Sequence, residues 1–361
     1  MDIFSLLRLA RAKSVSDVHL VVSAPPMLRI YGSLEPADGM APLTPEDTIQ
    51  AFQQITTPEL REEFQRNLEL DFSYALPDVG RLRCNVAQER NGVSLVIRLL
   101  SPVIPTIEEL GLPAVCQDLI CRPRGLIIIS GATGSGKSTT LASMIQYLNA
   151  TEKRGVVTIE DPIEYVYPSM KCAITQRELG NNTRSFAEAL RRVLRQDPDV
   201  ILVGEMRDTD TAAAVLNVAE TGHLVLTTGH APSATQAMER IIDLFPPHER
   251  NLVQGRLASL LLGTLCQVLV PKIDGSGRIA AIEVMLANPP VRNLIREGKI
   301  HQLPNVIRTH ANVGMVTLDQ ALVNLYQAAM ISRENLLAFC NDREEIERLG
   351  GVNLAPSNLP V

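Results

Sequence analysis

The sequence has no excess of positive charge. Its 361 residues include 34 Lys and Arg against 40 Asp and Glu, which gives a formal net charge of −6. A chain that binds DNA or RNA mainly through the phosphates needs a basic surface. The charge balance therefore argues against a nucleic-acid partner and excludes a basic tail, while a basic groove formed by folding stays open.

Long apolar runs and paired cysteines are missing as well. The longest apolar run, 257–270, is interrupted by Ser259, Gly263, Thr264 and Gln267, and a helix that spans a bilayer needs about 20 apolar residues. The six cysteines include no CxxC pair, so neither a zinc ribbon nor a disulfide framework is expected. Basic residues near the N-terminus follow the apolar stretch, which is not the order of a secretory signal. We expect a soluble cytosolic protein without zinc.

The composition is that of a globular chain, and the length predicts about two domains. Residues 1–100 are typical of an α+β domain, with strands predicted over 17–22, 28–33, 71–76, 80–88 and 93–99. A helix is predicted to begin at Thr44 as N-cap and Pro45 as first residue. Asn91-Gly92 predicts a hairpin with a type I′ turn, which needs positive φ at both central residues. Two prolines in Ser101–Pro105 predict a stiff connector, and we place a linker over 101–112.

Residues 113–349 are predicted to form a second domain, of the α/β class. Four short apolar runs, 126–130, 155–159, 200–203 and 223–227, predict buried strands separated by helices. This pattern indicates a mostly parallel sheet that is covered by helices on both faces. From about residue 289 the pattern is helical, and we expect 350–361 to be a disordered tail.

Residues 131–138 match the pattern GxxxxGK[ST] of a phosphate-binding loop. They follow an apolar strand and precede a helix, which is the context that this motif requires and that a chance glycine-rich turn would lack. In such a loop, backbone N–H groups bind phosphates, Lys137 binds the γ-phosphate and the Ser138 hydroxyl ligates Mg²⁺. The predicted nucleotide-binding residues of the loop are Gly131, Ala132, Thr133, Gly134, Ser135, Gly136, Lys137, Ser138 and Thr139.

Two acidic segments follow predicted strands. The strand at 200–203 is followed by Gly204 and Glu205, as in a Walker B motif whose first acid is replaced by glycine. Because ligands bind at the carboxyl ends of parallel strands, Glu205 is the predicted general base or water-orienting group. The strand at 155–159 is followed by candidate ligands of Mg²⁺ through water, namely Glu160, Asp161 and Glu164. The alternative for each segment is an acidic turn exposed to solvent.

One histidine begins the strand predicted over 223–227, and a second follows it. His223 follows Thr221-Gly222, and His230 lies shortly after the strand. No carboxylate or cysteine beside them completes a metal site. They are either structural histidines or sensors of the γ-phosphate.

Together these segments resemble the motifs of the secretion ATPase superfamily. GATGSGKST is similar to its Walker A motif, VVTIEDPIEYVY to its Asp box, RQDPDVILVGEMRD to its Walker B motif and AETGHLVLTTGHAPSA to its His box. VRNLIRE, at 291–297, resembles the AIRNLIRE signature of the type IV pilus retraction (PilT) family. The zinc motif and long N-terminal extension of the pilus-extension and type II secretion ATPases are not found in this sequence. Gly229 stands where the family usually has Leu, and Val316 where Gln is common.

The resemblance implies a PAS-like domain followed by a RecA-like P-loop NTPase domain. It further implies a homohexamer that hydrolyses ATP with Mg²⁺ and retracts a type IV pilus through an inner-membrane platform protein, from the cytoplasmic face of that membrane. The implied site residues are Lys137 and Ser138 for phosphate and Mg²⁺, Glu205 as catalytic carboxylate, Glu164 as supporting acid, and His230 with His223 in the His box.

An arginine-rich face is predicted on the sheet of the first domain. If 80–88 is a strand, Arg81 and Arg83 share its polar face, and Arg98 takes the same face of the partner strand. By itself this pattern also suits a solvated surface. The resemblance implies that arginines of this domain act in trans on the nucleotide of a neighbouring subunit, and we predict that Arg81, Arg83 or Arg98 does so.

Other functions stay open on the sequence alone. A pilus-extension or type II secretion ATPase, or an accessory pilus ATPase, would use the same chemistry. A hexameric helicase or DNA translocase would show ATPase activity stimulated by nucleic acid, against which the charge balance argues. A non-catalytic nucleotide-binding scaffold would keep its function when Lys137 or Glu205 is replaced.

Overall fold

In the computed structural model, which describes residues 1–13, 15–30 and 32–350, the chain divides into two units at Val103. One unit comprises Met1–Val103 together with the short segment Pro162–Val166. The other comprises Ile104–Asp161 and the chain from Tyr167 onward. The tail predicted over 350–361 lies, apart from Gly350, outside the described residues.

The N-terminal unit is built on an antiparallel sheet of six strands in the order β3-β2-β1-β6-β5-β4. Its helix α2 begins as predicted, because Thr44 and Asp47 form a capping box in front of Pro45. The elements of this unit are α1 (Ile3–Ala12), β1 (Asp17–Leu20), β2 (Met27–Ile30), β3 (Ser33–Pro36), α2 (Pro45–Ile55), α3 (Pro58–Asn67), β4 (Glu69–Leu76), β5 (Gly80–Glu89) and β6 (Gly92–Leu99).

One face of this sheet is apolar and the other carries arginines, as the alternation predicts. The buried residues of β5 and β6 are Leu82, Cys84, Val86, Val93, Leu95, Ile97 and Leu99. Because successive side chains of a strand point to opposite faces, Arg81, Arg83 and Arg98 lie on the polar face. Arg83 and Arg98 are cross-strand partners, so the arginines form a cluster rather than three separate sites.

The hairpin between β5 and β6 forms, but its turn lies one residue earlier than predicted. Glu89 pairs with Gly92, so the turn residues are Arg90 and Asn91, and neither has positive φ. Gly92 instead begins β6 with φ 150°. A Cβ there would lie 3.2 Å from Val22 Cγ2, so close packing is a second reason for glycine at this position.

The second unit has a seven-stranded sheet in the order β13-β12-β7-β11-β10-β8-β9. Six strands run parallel and β13 pairs antiparallel with β12 at the edge. Its elements are α4 (Val115–Ile120), β7 (Gly125–Ser130), α5 (Lys137–Thr151), β8 (Gly155–Glu160), β9 (Ala173–Glu178), α6 (Phe186–Val193), β10 (Val200–Val203), α7 (Thr209–Glu220), β11 (Leu224–Thr228), α8 (Ala234–Asp243), α9 (Arg250–Leu260), β12 (Leu261–Pro271), β13 (Arg278–Leu286), α10 (Pro289–Arg296), α11 (Leu303–Thr309), α12 (Leu318–Gln327), α13 (Arg333–Phe339) and α14 (Arg343–Gly350).

The predicted α/β class is confirmed, and helices cover both faces of the parallel sheet. The central strand β7 is buried along its whole length. Its residues Leu126 and Ile128 pack on one face with α7, α8 and α9, while Ile127 and Ile129 pack on the other with α5. A strand buried on both faces reads as a continuous apolar run, which is why the sequence indicates it so clearly. None of the described helices is both long and apolar enough to cross a bilayer.

The signature at 291–297 lies in α10 and has an internal contact. Arg292 Nη1 donates to the carbonyl oxygens of Ala258, at 2.6 Å, and Ser259, at 2.8 Å. These carbonyls belong to the last turn of α9, where a cation also interacts favourably with the helix dipole. Arg292 therefore joins the end of α9 to α10.

Candidate functional site

Four segments with predicted roles emerge from neighbouring parallel strands at one edge of the second sheet. The phosphate loop, 131–138, follows β7, and His230 follows β11. Glu205 follows β10, and Asp161 follows β8. The registers align these strand ends, since Thr228 pairs with Ile129 and Val203 pairs with both Thr227 and Ile159. The structure thus brings these groups to the edge at which open α/β sheets bind ligands.

The phosphate loop requires glycine at its first and last glycine positions. Gly131 has φ 143° and Gly136 has φ 90°, and Gly136 is the N-cap of α5. A Cβ on Gly131 would collide with the carbonyl oxygen of Gln267 and lie 2.7 Å from Ser135 Oγ. A Cβ on Gly136 would lie 3.0 Å from Gln267 Nε2. The loop therefore packs closely against β12 at these two glycines.

Gln267 of β12 holds the loop, a role that the sequence reasoning missed. Its Nε2 donates to the Ser135 carbonyl oxygen at 2.5 Å, and its Oε1 accepts from Thr140 Oγ1 at 2.9 Å. The side chain is buried, so both hydrogen bonds are protected from water. The available signal was an amide side chain within the apolar run 257–270.

The groups of the loop suit an anion. Lys137 Nζ donates to the carbonyl oxygens of Gly131 and Ala132, at 2.8 and 3.0 Å, so its ammonium lies over the loop. Ser135 Oγ is buried and has no hydrogen-bond partner among the described residues. Backbone N–H groups at the start of α5 add donors and the positive end of the helix dipole. This donor-rich cradle fits the phosphates of a nucleotide.

A metal ion would need the nucleotide to complete its ligands. Within the described parts of the chain, no group of three or more His, Cys, Asp or Glu side chains forms a metal site. Mg²⁺ commonly takes one or two protein ligands, with waters and substrate phosphates filling the rest. Ser138, in the first turn of α5, supplies one oxygen of that kind, and the donor set therefore fits Mg²⁺ bound together with phosphate.

The carboxylate of Glu205 is held between two cationic or polar side chains. Arg207 Nε lies 2.7 Å from Oε1, and His230 Nε2 lies 3.4 Å from Oε2. The Glu205 side chain is 15% exposed and that of Arg207 is 71% exposed. Glu205 is thus fixed in position at the strand edge, while the arginine reaches into solvent.

A side chain at position 204, where this motif usually has its first acid, would be crowded by β8. The N–H of Gly204 donates to the Ile159 carbonyl oxygen at 2.8 Å. A Cβ at this position would lie 3.3 Å from that oxygen and 3.5 Å from Glu160 Cα. The close approach of β10 to β8 therefore accounts for glycine before Glu205.

The predicted acidic motif is divided between the two units. Glu160 accepts hydrogen bonds from Thr158 Oγ1 at 2.6 Å and from Gln176 Nε2 at 3.1 Å, so its carboxylate is engaged by its own strand β8 and by the neighbouring strand β9. Asp161 ends the stretch that belongs to the second unit. Glu164 lies in Pro162–Val166, the segment that groups with the N-terminal unit.

The two histidines lie at opposite ends of β11. His230 follows the carboxyl end, beside Glu205. His223 precedes the strand, and its Nδ1 lies 3.0 Å from Thr221 Oγ1 and 3.2 Å from the Val218 carbonyl oxygen. Five strand residues at about 3.3 Å each separate it from the phosphate edge. The structure therefore places His223 in the turn after α7, away from the phosphate loop of its own chain.

The three arginines of the N-terminal sheet have different surroundings. Arg98 Nε donates to Asp17 Oδ1 at 2.8 Å. Arg81 donates to Ser73 Oγ and to the Ile163 carbonyl oxygen, each at 3.1 Å. Arg83 is exposed, and no described residue forms a hydrogen bond or ion pair with its guanidinium. Arg83 is thus the arginine of this cluster that is available to a ligand outside the chain.

A cavity opens beside the phosphate loop, on the side of β12. It has a volume of 560 Å³, and its lining includes Gly136 of the loop, Thr139 of α5 and the apolar side chains of Leu269, Ile279 and Met330. Charged side chains complete the lining, namely Glu108, Glu109, Lys272 and Arg278. A cavity of this size with apolar and polar groups, next to a polar cradle, is typical of small-molecule sites.

Comparison with known proteins gives matches along nearly the whole chain. Residues 75–289 match the family described as type II/IV secretion system protein. The type IV pilus retraction ATPase PilT of Pseudomonas aeruginosa is 44% identical over 335 residues, which cover 93% of this chain and 97% of PilT. The type IV pilus ATPase PilU of the same organism is 41% identical over 346 residues, which cover 96% of this chain and 90% of PilU. A crystal structure of the pilus retraction motor PilT with bound ADP is similar with a TM-score of 0.90 at 42% identity, covering 96% of this chain and 99% of that chain.

Proposed function

The chain belongs to the type II/IV secretion ATPase family as a homologue of the pilus retraction ATPase PilT, and from this premise we propose that it hydrolyses ATP to power pilus retraction. We propose a Mg²⁺-dependent homohexamer at the cytoplasmic face of the inner membrane, acting on the pilus through a platform protein. The observation that carries the proposal is the phosphate loop, Glu205 and His230 at one sheet edge, in a chain that matches PilT over 93% of its length.

The phosphate loop would bind the β- and γ-phosphates through its backbone N–H groups. Lys137 already lies over the loop, so its ammonium needs only to exchange carbonyl partners for phosphate oxygens. Ser138, with Glu205 through water, would hold Mg²⁺. When bound, the ion supplies a positive charge that stabilises the phosphate oxygens as negative charge develops on them.

Glu205 would orient the attacking water and accept its proton. A general base must lie within hydrogen-bond reach of the proton that it removes, and Glu205 is fixed at the loop edge by Arg207 and His230. His230 would respond to the state of this carboxylate. Glu160 and Asp161 support the same edge, and a direct role of His223 in its own chain is not part of this proposal.

The cavity of 560 Å³ beside the loop would take the adenosine part of the nucleotide. Thr139 and Gly136 join the phosphate cradle to this cavity, and Leu269, Ile279 and Met330 give it the apolar surface that a flat base requires. Because the cavity adjoins the phosphate cradle, one ATP molecule would occupy both, with its phosphates in the cradle and its adenosine in the cavity.

A cation from a neighbouring subunit would complete the site. Arginine fingers supplied in trans raise phosphoryl-transfer rates by about 10³-fold or more. Of the three arginines on the polar face, we propose Arg83 for this role, because Arg98 and Arg81 already bind groups of their own unit. The linker 101–112 would let the two domains of a subunit change their arrangement during the cycle.

The enzymatic part of the proposal is tested by ATPase assays on the purified chain with Lys137→Ala and Glu205→Gln variants. We expect both to lower kcat by about 100-fold or more, and Lys137→Ala to weaken nucleotide binding too. Lys153→Ala, which removes an exposed lysine two residues after α5, is the matched control and should keep wild-type rates. Full ATPase activity of both site variants would overturn the proposal.

The cellular part is tested by deleting the gene. Loss of retraction with more pili on the surface is expected for a retraction motor, whereas bald cells would indicate an extension ATPase. The alternative candidate is an accessory pilus ATPase. Retraction that persists in the deletion strain would support that candidate.

A further inference from the structure

The segment that carries His230 is tied to the phosphate loop by one buried hydroxyl. Ser130 is the last residue of β7, directly before Gly131, and it is fully buried. Its Oγ accepts from the N–H of Ala231 at 2.9 Å and donates to the carbonyl oxygen of Ala231 at 2.7 Å. A single side chain thus satisfies both backbone groups of the residue next to His230.

The same segment is also fixed at its beginning and its end. The N–H of Gly229 donates to the Ile129 carbonyl oxygen at 2.9 Å. The N–H of Ala234, at the start of α8, donates to Glu283 Oε1 of β13 at 2.7 Å. The backbone around His230 is therefore held by β7 and β13, so its position depends on those strands.

Gly229 leaves the space that the Ser130 hydroxyl occupies. A Cβ on Gly229 would lie 3.0 Å from Ser130 Oγ and 3.6 Å from Ser130 Cβ. The first distance is tighter than ordinary contact, so a side chain at 229 would force the hydroxyl to shift by a few tenths of an ångström and strain its bonds to Ala231. Gly229 is therefore matched to the Ser130 contact.

We propose that Ser130 is a positioning residue that couples the phosphate loop to His230, and through His230 to Glu205. Ser130 and Gly131 share a peptide bond, so any adjustment of the loop on binding phosphate moves the Ser130 hydroxyl. Its two hydrogen bonds transmit that movement to Ala231, because hydrogen bonds weaken steeply once distance and angle change. This inference rests on the proposed ATPase function and concerns the same site.

The test compares Ser130→Ala with Ser130→Thr in steady-state ATPase assays and in equilibrium binding of ADP. We expect Ser130→Ala to lower kcat by about 10-fold, since two buried backbone groups lose their partner, with KM and the Kd for ADP within about twofold of wild type. Ser130→Thr keeps the hydroxyl and should restore kcat. Ser143→Ala is the matched control, because Ser143 Oγ is buried without a hydrogen-bond partner among the described residues; it should leave kcat unchanged.

Gly229→Ala alone tests the same contact if Ser130→Ala folds poorly, and a double-mutant cycle tests it further if both variants fold. Gly229→Ala should lower kcat by itself, and the double variant should be no worse than Ser130→Ala, because both changes break the same contact. Additive effects, an unchanged kcat in Ser130→Ala, or losses in kcat and ADP affinity of equal size would each overturn the inference. If Lys137→Ala also keeps full activity, the proposed function fails as well; if Lys137→Ala is inactive, only the coupling fails.

Discussion

At the scale of single residues, Asp17 organises the arginine face of the N-terminal sheet. Its side chain is buried, with Oδ1 accepting from Arg98 Nε at 2.8 Å and Oδ2 lying 3.8 Å from Arg29 Nε. Burial opposes the ionisation of Asp17, but hydrogen bonds from Arg98 and Ser16 outweigh it and lower the pKa of the carboxyl. Asp17 thereby holds Arg98 within its own unit and leaves Arg83 as the unengaged arginine.

Asp17→Asn is expected to lower the free energy of unfolding by about 1.5–3 kcal/mol at pH 7, since it removes the negative charge opposite Arg98 and one of the two acceptor oxygens that Arg98 and Ser16 use. The pKa of Asp17 is lower in the folded than in the unfolded chain, so its stabilisation is present above the unfolded pKa and is lost as pH falls through the folded pKa. The difference between wild type and variant in urea titrations should therefore shrink in acid.

The control for Asp17 is Asp38→Asn, because Asp38 is 92% exposed and pairs with Lys13 at 3.3 Å on the surface. We expect it to change stability by less than about 1 kcal/mol. Equal losses in the two variants, or a difference for Asp17→Asn that grows as pH falls, would contradict this account of the arginine face.

At the scale of elements, the site depends on how β12 lies beside β7. Strand β7, the phosphate loop and helix α5 could be predicted from local pattern. The strand is a continuous apolar run, the loop matches a motif, and the two lie next to each other in the sequence. The boundary between helix and strand inside the apolar run 257–270 could not be predicted, since the run contains both the end of α9 and most of β12. The contact of Gln267 with Ser135 joins residues 132 positions apart, and no local pattern encodes that pairing.

Gln267→Leu tests the contribution of β12 to the phosphate loop. The change leaves the Thr140 hydroxyl and the Ser135 carbonyl buried without their partner, and each such group costs about 1–3 kcal/mol. We expect lower thermal stability together with an affinity for ADP reduced by about 10-fold, measured by calorimetry on the same samples.

Gln236→Leu provides the comparison for Gln267→Leu. Gln236 is an exposed residue of α8, so replacing it with the same apolar side chain should leave ADP affinity unchanged. Wild-type ADP affinity in Gln267→Leu would mean that the phosphate loop keeps its shape without the hydrogen bonds from Gln267.

At the scale of the whole molecule, the sequence predicts which arginines share a face but not which one is unengaged. The alternation in β5 and β6 places Arg81, Arg83 and Arg98 together, and the structure confirms that placement. Their partners could not be predicted, because Asp17 and Ile163 lie 81 and 82 positions away from the arginines they contact. The division of the acidic motif between the two units is likewise a property of the complete fold.

A trans role of Arg83 is expected to appear as complementation between two inactive variants. In Arg83→Ala each site is intact but lacks the neighbour's guanidinium, and in Glu205→Gln the guanidinium is intact but the site is not. When the two are coexpressed with different tags and mixed rings are isolated through both tags, about one interface in four should combine an intact site with an intact arginine. Mixed rings should therefore hydrolyse ATP faster than either parent.

The control is Arg90→Ala, which removes an exposed arginine of the β5–β6 turn and should remain fully active alone. Mixed rings no more active than their parents would show that Arg83 acts within its own subunit, and full activity of Arg83→Ala rings would show that it does not act on the nucleotide.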